Sequence, residues 1–142
     1  ENNHTSGRKF GVLFLDLDNF KEINDSLGHD VGDMILIHVS KTLLLATRKS
    51  DTVARFGGDE FIILVDDIED EKSLKHIATK LIHAISQPIR VRHLDLTVTT
   101  SIGISLFPNH GTDFNQLIKN ADLALYVAKA EGRNTYKIHH QS

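Results

Sequence analysis

The chain has 142 residues, 40% hydrophobic and 25% charged, enough length for one soluble domain with a real core. A formal net charge of −3 leaves no electrostatic footprint for DNA or RNA, so a bound nucleotide would need local cations and metal. Zero cysteines exclude disulfides and thiolate sites, which fits a reducing compartment, and no run approaches membrane-spanning length or reads as a signal peptide.

Glu1 to Ser6 is polar and expected to fray. Gly11 to Asp18 then reads as an apolar, centrally buried strand that ends in acids. Side chains alternate along a strand, so Asp16 and Asp18 share one face and Leu17 takes the other. Asn19 to Leu27 is a short helical or turn segment bounded by Gly28. Asp30 is a candidate N-cap for a helix over about Val31 to Thr47. Its stripe of Val31, Met34, Ile35, Ile37, Val39, Leu43, Leu44 and Ala46 suits packing on a sheet.

Thr52 to Phe56 and Glu60 to Val65 suit two strands, and Gly57-Gly58 between them reads as a hairpin turn that uses positive φ. Asp59 and Glu60 beside that turn make a plausible cation site, because hard divalent metals prefer oxygen ligands. Gly-Gly-Asp-Glu by itself is more often a solvated turn, and Asp16 by itself a strand-end residue in water. Should the first strand lie beside the hairpin, Asp16 meets Asp59 and Glu60. At about 4 Å and an effective dielectric near 20, each carboxylate pair repels by roughly 4 kcal/mol. Such a cluster persists with a cation or with shifted pKa values.

Asp66 to Glu71 reads as a solvated acidic loop. Leu74, Ile77, Ala78, Leu81, Ile82 and Ile85 mark a helix that ends before Pro88. Ile89 to Arg92 and Leu94 to Phe107 are expected to pair as strands. After a turn at Pro108–Gly111, Thr112 or Asp113 can cap a last helix that buries Phe114, Leu117, Ile118, Ala121, Ala124, Leu125 and Ala128. Gly132 suits its stop and Thr135 to Ile138 a short final strand. The nine histidines show no zinc spacing. The expected order β-α-β-β-α-β-β-α-β makes a single α+β domain with a mainly antiparallel central sheet covered by helices.

Phe14-Leu-Asp-Leu-Asp-Asn-Phe-Lys-Glu-Ile-Asn-Asp25, Gly28-His29, Gly32-Asp33 and Arg55-Phe-Gly-Gly-Asp-Glu-Phe61 resemble the GGDEF family of diguanylate cyclases. The likeness continues through Ser101-Ile-Gly-Ile104, Asn120-Ala-Asp122 and Ala128-Lys-Ala-Glu-Gly-Arg-Asn134. It spans roughly residues 8 to 138, and several spaced motifs in order are far more specific than the five-residue signature. The resemblance implies the ferredoxin-like palm shared with nucleotide cyclases, in which the first strand's end and the hairpin are neighbours. It also implies the joining of two GTP molecules into cyclic di-GMP with release of two pyrophosphates, by a homodimer.

By that resemblance Asp16, the Leu17 carbonyl, Asp59 and Glu60 hold magnesium or manganese. Glu60 is a further ligand or helps deprotonate the 3′-hydroxyl, with Asp59, Glu60 and Lys21 the catalytic set. Lys21 matches a phosphate-binding lysine, Asn24 and Asp33 the guanine-reading pair, and His29 the lining of the same pocket. Asp33 also suits a first-turn helix acid favoured by the dipole, and Lys21 a surface lysine. Lys129 and Arg133, four apart on one helix face, match residues that grip the β- and γ-phosphates; dipole complementarity at a helix end accounts for the same pattern. Arg48-Lys-Ser-Asp51 matches the family's RxxD inhibitory site for cyclic di-GMP, a motif that also suits a charged helix-to-strand loop.

Family members usually begin with a helix and an Asp-x-Leu-Thr-Gly-Leu-x-Asn-Arg segment, and Glu1 to Lys9 contains nothing like it. The chain is therefore expected to be a piece of a longer cytoplasmic or membrane-anchored protein carrying a sensory domain. Gln87-Pro88, Leu106-Phe-Pro-Asn109 and Ala121-Asp-Leu-Ala-Leu-Tyr126 resemble GGDEF domains fused to an EAL phosphodiesterase domain. In such tandems the GGDEF part can be a GTP-binding regulator, which is the competing function. A partner-binding scaffold without nucleotide affinity is a third class, against which the intact acids argue.

Overall fold

The computed structural model describes residues 9–139, and the frayed terminus expected at Glu1 to Ser6 lies outside them. In chain order come β1 (Lys9–Leu17), α1 (Phe20–Leu27), α2 (His29–Ala46), β2 (Thr52–Arg55), β3 (Glu60–Ile68) and α3 (Glu71–Ile85). They are followed by β4 (Ile89–Val91), β5 (Leu94–Leu96), β6 (Thr100–Phe107), α4 (Phe114–Ala130) and β7 (Tyr136–Ile138). Five strands form one sheet in the order β2-β3-β1-β6-β7, while β4 and β5 make a separate hairpin. Within the large sheet only β6 and β7 run parallel. The run from β1 to β6 has the β-α-β-β-α-β plan of ferredoxin-like folds, with β1 central.

β1 is apolar on both faces because both are covered. Leu13, Leu15 and Leu17 join Phe61, Ile63, Ile102 and Ile104 in a core beneath α2 and α3. Val12 and Phe14 join Ile62 beneath α4, whose Leu117, Ala121 and Leu125 complete a second cluster. Strand alternation therefore turns Asp16, an even-numbered residue like Val12 and Phe14, toward α4. Gly103 of β6 lets α4 come this close. A Cβ there would stand 1.9 Å from the Ala121 carbonyl oxygen and 2.3 Å from the Leu125 nitrogen.

The ends of α4 follow from their residues. The Asp113 side chain accepts from the Gln116 N–H at 2.9 Å, capping the first turn. Gly132, at φ 117°, stops the helix with paired bonds from Gly132 N to Lys129 O and from Arg133 N to Ala128 O.

Elsewhere tertiary partners override local expectation. α2 starts at His29, so Asp30 sits in its first turn rather than capping it, and pairs with Arg92 at 3.6 Å. The segment expected as one strand over Leu94 to Phe107 breaks at residues 97–99, where the Thr99 carbonyl accepts from Asp18 N at 2.9 Å. β3 runs on to Ile68 and α3 starts at Glu71, so of the acidic stretch from Asp66 to Glu71 only Glu69 and Asp70 are loop, and Asp70 caps α3 by accepting from Ser73 N. Gly57 and Gly58 do not take positive φ. Met34, Ile37, Leu44 and Phe114 are exposed, so both helical stripes are narrower than expected.

Candidate active site

The β1–β3 ladder sets Asp16 directly opposite Glu60. One residue on, Leu17 N donates to the Asp59 carbonyl at 3.3 Å, tying the turn to the tip of β1. The turn itself is held by its own backbone and by Arg55. Phe56 N donates to the Glu60 carbonyl at 2.8 Å, and the Arg55 guanidinium donates to the carbonyls of Gly57 and Gly58 at 3.2 and 2.7 Å. Gly57 serves close approach: a Cβ at that position would stand 2.6 Å from Glu60 Oε1.

Three carboxylates thus converge on the α4 side, and the structure answers their repulsion in two ways. Lys129 of α4 places its ammonium on Asp16 Oδ2. Asp59 is pushed up to about 6 from an ordinary 3.8, chiefly by burial and then by its hydrogen bond and charge contact with Asp16. Glu60 is also raised, first by burial, then by the charges of Asp16 and Asp122, with Lys129 opposing. Asp16 is 7% exposed, and its Oδ1 is buried without a hydrogen-bond partner.

That orphaned oxygen and the neighbouring carboxylates are the donor chemistry a hard divalent cation takes. The residues present fit magnesium or manganese by type. Among the described residues no group of three acid, histidine or cysteine side chains is placed, as it stands, to hold a metal ion, and Asp16 is paired with Lys129 instead.

The remaining expected site residues are spread over α1, α2 and the turns after α2 and α4. Lys21 is the second residue of α1, exposed, with no ion pair to a described residue. Asn24 lies on α1 and Asp33 on α2, two helices that pack together. A Cβ on Gly32 would come within 1.8 Å of Asn24 Oδ1, which is buried and unpartnered, while Asp33 is exposed. His29 is exposed in the first turn of α2. Arg133 departs from the helix face expected for it. The Gly132 stop carries it past the helix end at φ 65°, so it does not share a helix face with Lys129.

Arg48 and Asp51 grip one another across the α2–β2 turn. The Arg48 Nη2 donates to Asp51 Oδ1 at 3.1 Å and also to the Asp66 carbonyl, and Asp51 Oδ2 accepts from Arg48 N at 2.9 Å. Arg48 also lines a cleft of about 520 Å³ with Lys72, Ser73 and His76 and with the acids Asp67, Glu69 and Asp70; Asp16, Asp59 and Glu60 are not part of its lining.

Two supporting residues carry roles that sequence reasoning did not assign. Arg55 braces the turn, as described. Asp18, 4% exposed, accepts from Thr99 Oγ1 and Ser101 Oγ at 2.6 Å each and from Asn134 N at 3.0 Å. It joins the tip of β1 to β6 and to the turn after α4. Its placement two residues after Asp16 on the same face was the available signal.

The family described as diguanylate cyclase, GGDEF domain, matches residues 1–135. MucR of Pseudomonas aeruginosa, named a bifunctional diguanylate cyclase/cyclic di-GMP phosphodiesterase, is 44% identical over 91% of this chain and 19% of its own length. NbdA of the same organism, named a cyclic di-GMP phosphodiesterase, is 47% identical over 94% of this chain and 17% of its own length. The chain thus spans about a fifth of the length of these curated relatives. The crystal structure of the GGDEF domain of TpbB, also from P. aeruginosa, matches at a TM-score of 0.95 with 35% identity, covering 98% of this chain and 87% of that one. With its family match, its relatives and its palm-like sheet in agreement, this chain belongs to the GGDEF domain family.

Proposed function

We propose that this domain condenses two GTP molecules into cyclic di-GMP, releasing two pyrophosphates, and is inhibited by its product. The observation that carries the reading is the convergence of Asp16, Asp59 and Glu60 across the β1–β3 register, in a chain of this family. In each half-reaction a 3′-oxygen forms a bond to the α-phosphorus of the other GTP. The bond from that phosphorus to pyrophosphate breaks, and the 3′-hydroxyl proton passes to a carboxylate.

Asp59 and Glu60 are the carboxylates offered for that acceptance, one on the turn and one at the start of β3. Asp16, the Leu17 carbonyl, Asp59 and Glu60 are the groups that would hold magnesium or manganese. Such an ion, when bound, lowers the charge on the triphosphate and the pKa of the attacking hydroxyl. Lys21, Lys129 and Arg133 supply positive charge for the phosphates. Asn24 and Asp33, with His29 beside them, read the guanine edge, where a carboxylate can accept from N1–H and N2–H and adenine would leave it unpaired. One domain holds one GTP, so two copies must face each other in an antiparallel pair.

Arg48 and Asp51 form the product site, supported by the half-exposed guanidinium at the edge of its cleft. A second reading has its own support in the likeness to NbdA: a GTP-binding regulator within a chain carrying an EAL phosphodiesterase domain. Incubation with GTP and magnesium, followed by chromatography, tests the first reading by the appearance of cyclic di-GMP. GTP-analogue binding without a dinucleotide product, in a chain extended at both ends, supports the regulator. Absence of both binding and product overturns the two together.

A further inference from the structure

We propose that Lys129 is the cation Asp16 carries before a metal arrives, so that metal binding and release of Lys129 are one exchange. The inference rests on the metal-dependent reading above. It starts from one buried carboxylate with two unlike oxygens. Asp16 Oδ2 is paired with the Lys129 ammonium, while the buried Oδ1 accepts no hydrogen bond from a described residue. A divalent cation that takes Oδ1 and the neighbouring acids would stand beside an ammonium on the same carboxyl group. Those like charges repel, so the lysine must leave as the ion enters.

Lys129 is built to leave. It lies in the last turn of α4, its side chain is one-third exposed, and its four-carbon stem can swing without moving the helix. The freed ammonium remains on the helix above Asp16 and Glu60, where a triphosphate would carry its negative charge. Metal entry and phosphate binding are thereby coupled. Without nucleotide the lysine competes for Asp16; with nucleotide it has another anion to hold.

The test is a Mn2+ titration of nucleotide-free protein, with free ion counted by electron paramagnetic resonance, on the wild type and on Lys129→Gln, Lys129→Met and Lys129→Arg. Both neutral variants are expected to bind Mn2+ roughly tenfold more tightly than wild type, and Lys129→Arg to stay near it. A nonhydrolysable GTP analogue should shrink or invert the difference. Equal or weaker Mn2+ binding by both neutral variants overturns the exchange. So does an absence of Mn2+ binding to every nucleotide-free protein up to millimolar ion. Repeating the wild-type titration with the analogue then separates the two ideas: Mn2+ uptake keeps the metal-dependent reading, and none removes it as well.

Discussion

Asp16 and Glu60 face each other across the β1–β3 ladder, on the side of the sheet that α4 covers. Cross-strand like charges destabilise a sheet, yet here Asp59 joins them from the adjoining turn. The fold tolerates the cluster through Lys129 and through raised carboxyl pKa values. It is an arrangement kept at some cost in stability, as functional sites commonly are.

Folded Asp59 holds its proton to about pH 6, against an ordinary value of 3.8. Between those values the folded chain binds more protons than the unfolded one, so this group's contribution is full below 3.8 and is lost as pH rises through about 6. Asp59→Asn escapes that loss. Above the window it should be more stable than wild type by about 1 kcal/mol, once screening of this partly exposed group is allowed for. Magnesium should narrow the gap. Melting temperatures across the window, with and without magnesium, check this; a difference blind to both pH and magnesium contradicts it.

Gly103→Ala should be costly although residue 103 carries no reacting group. The new methyl would meet backbone atoms of α4 at Ala121 and Leu125, which cannot swing aside. Overpacking of this kind costs about 3 kcal/mol or more when backbone must move. Urea denaturation measures it, and stability within about 1 kcal/mol of wild type would show that α4 can lift freely.

Gly57→Ala should do the opposite. Its backbone sits outside the left-handed region, so alanine fits the turn, but the methyl would crowd the Glu60 carboxylate. Stability should change by less than about 1 kcal/mol, while cyclic di-GMP formation falls roughly tenfold or more through misplacement of Glu60. Unchanged turnover would show that the position of Glu60 is not critical.

Arg48→Ala should weaken cyclic di-GMP binding by more than about tenfold and leave GTP affinity largely intact. It also removes the guanidinium partner of Asp51, whose side chain is 3% exposed, so some stability is lost with it. Calorimetry with both ligands, at a temperature where the variant stays folded, reads the result. Equal loss of both affinities would assign Arg48 to the fold alone.

Much of the architecture is legible because burial imposes period. The run from Gly11 to Leu17 is apolar on both faces, as a central strand requires, and its terminal acids are therefore conspicuous. The Gly132 stop is also readable, although its consequence for Arg133, which leaves the helix face, needs the backbone traced one residue further. Thr97 to Thr99 carry strand-forming residues throughout yet lie outside the ladder, where Thr99 is bonded to the distant Asp18. The pairing of Lys129 with Asp16 is likewise hidden from sequence, since 113 residues separate the partners and Gly103 sets how near α4 comes.

The most direct test is a crystal structure with Mn2+ and a nonhydrolysable GTP analogue, locating the ion by its anomalous scattering. The account predicts a peak about 2.0–2.3 Å from carboxylate oxygens of Asp16 and of Asp59 or Glu60, with the triphosphate against it. A peak coordinated elsewhere, or bound nucleotide with these carboxylates free of metal, would contradict it.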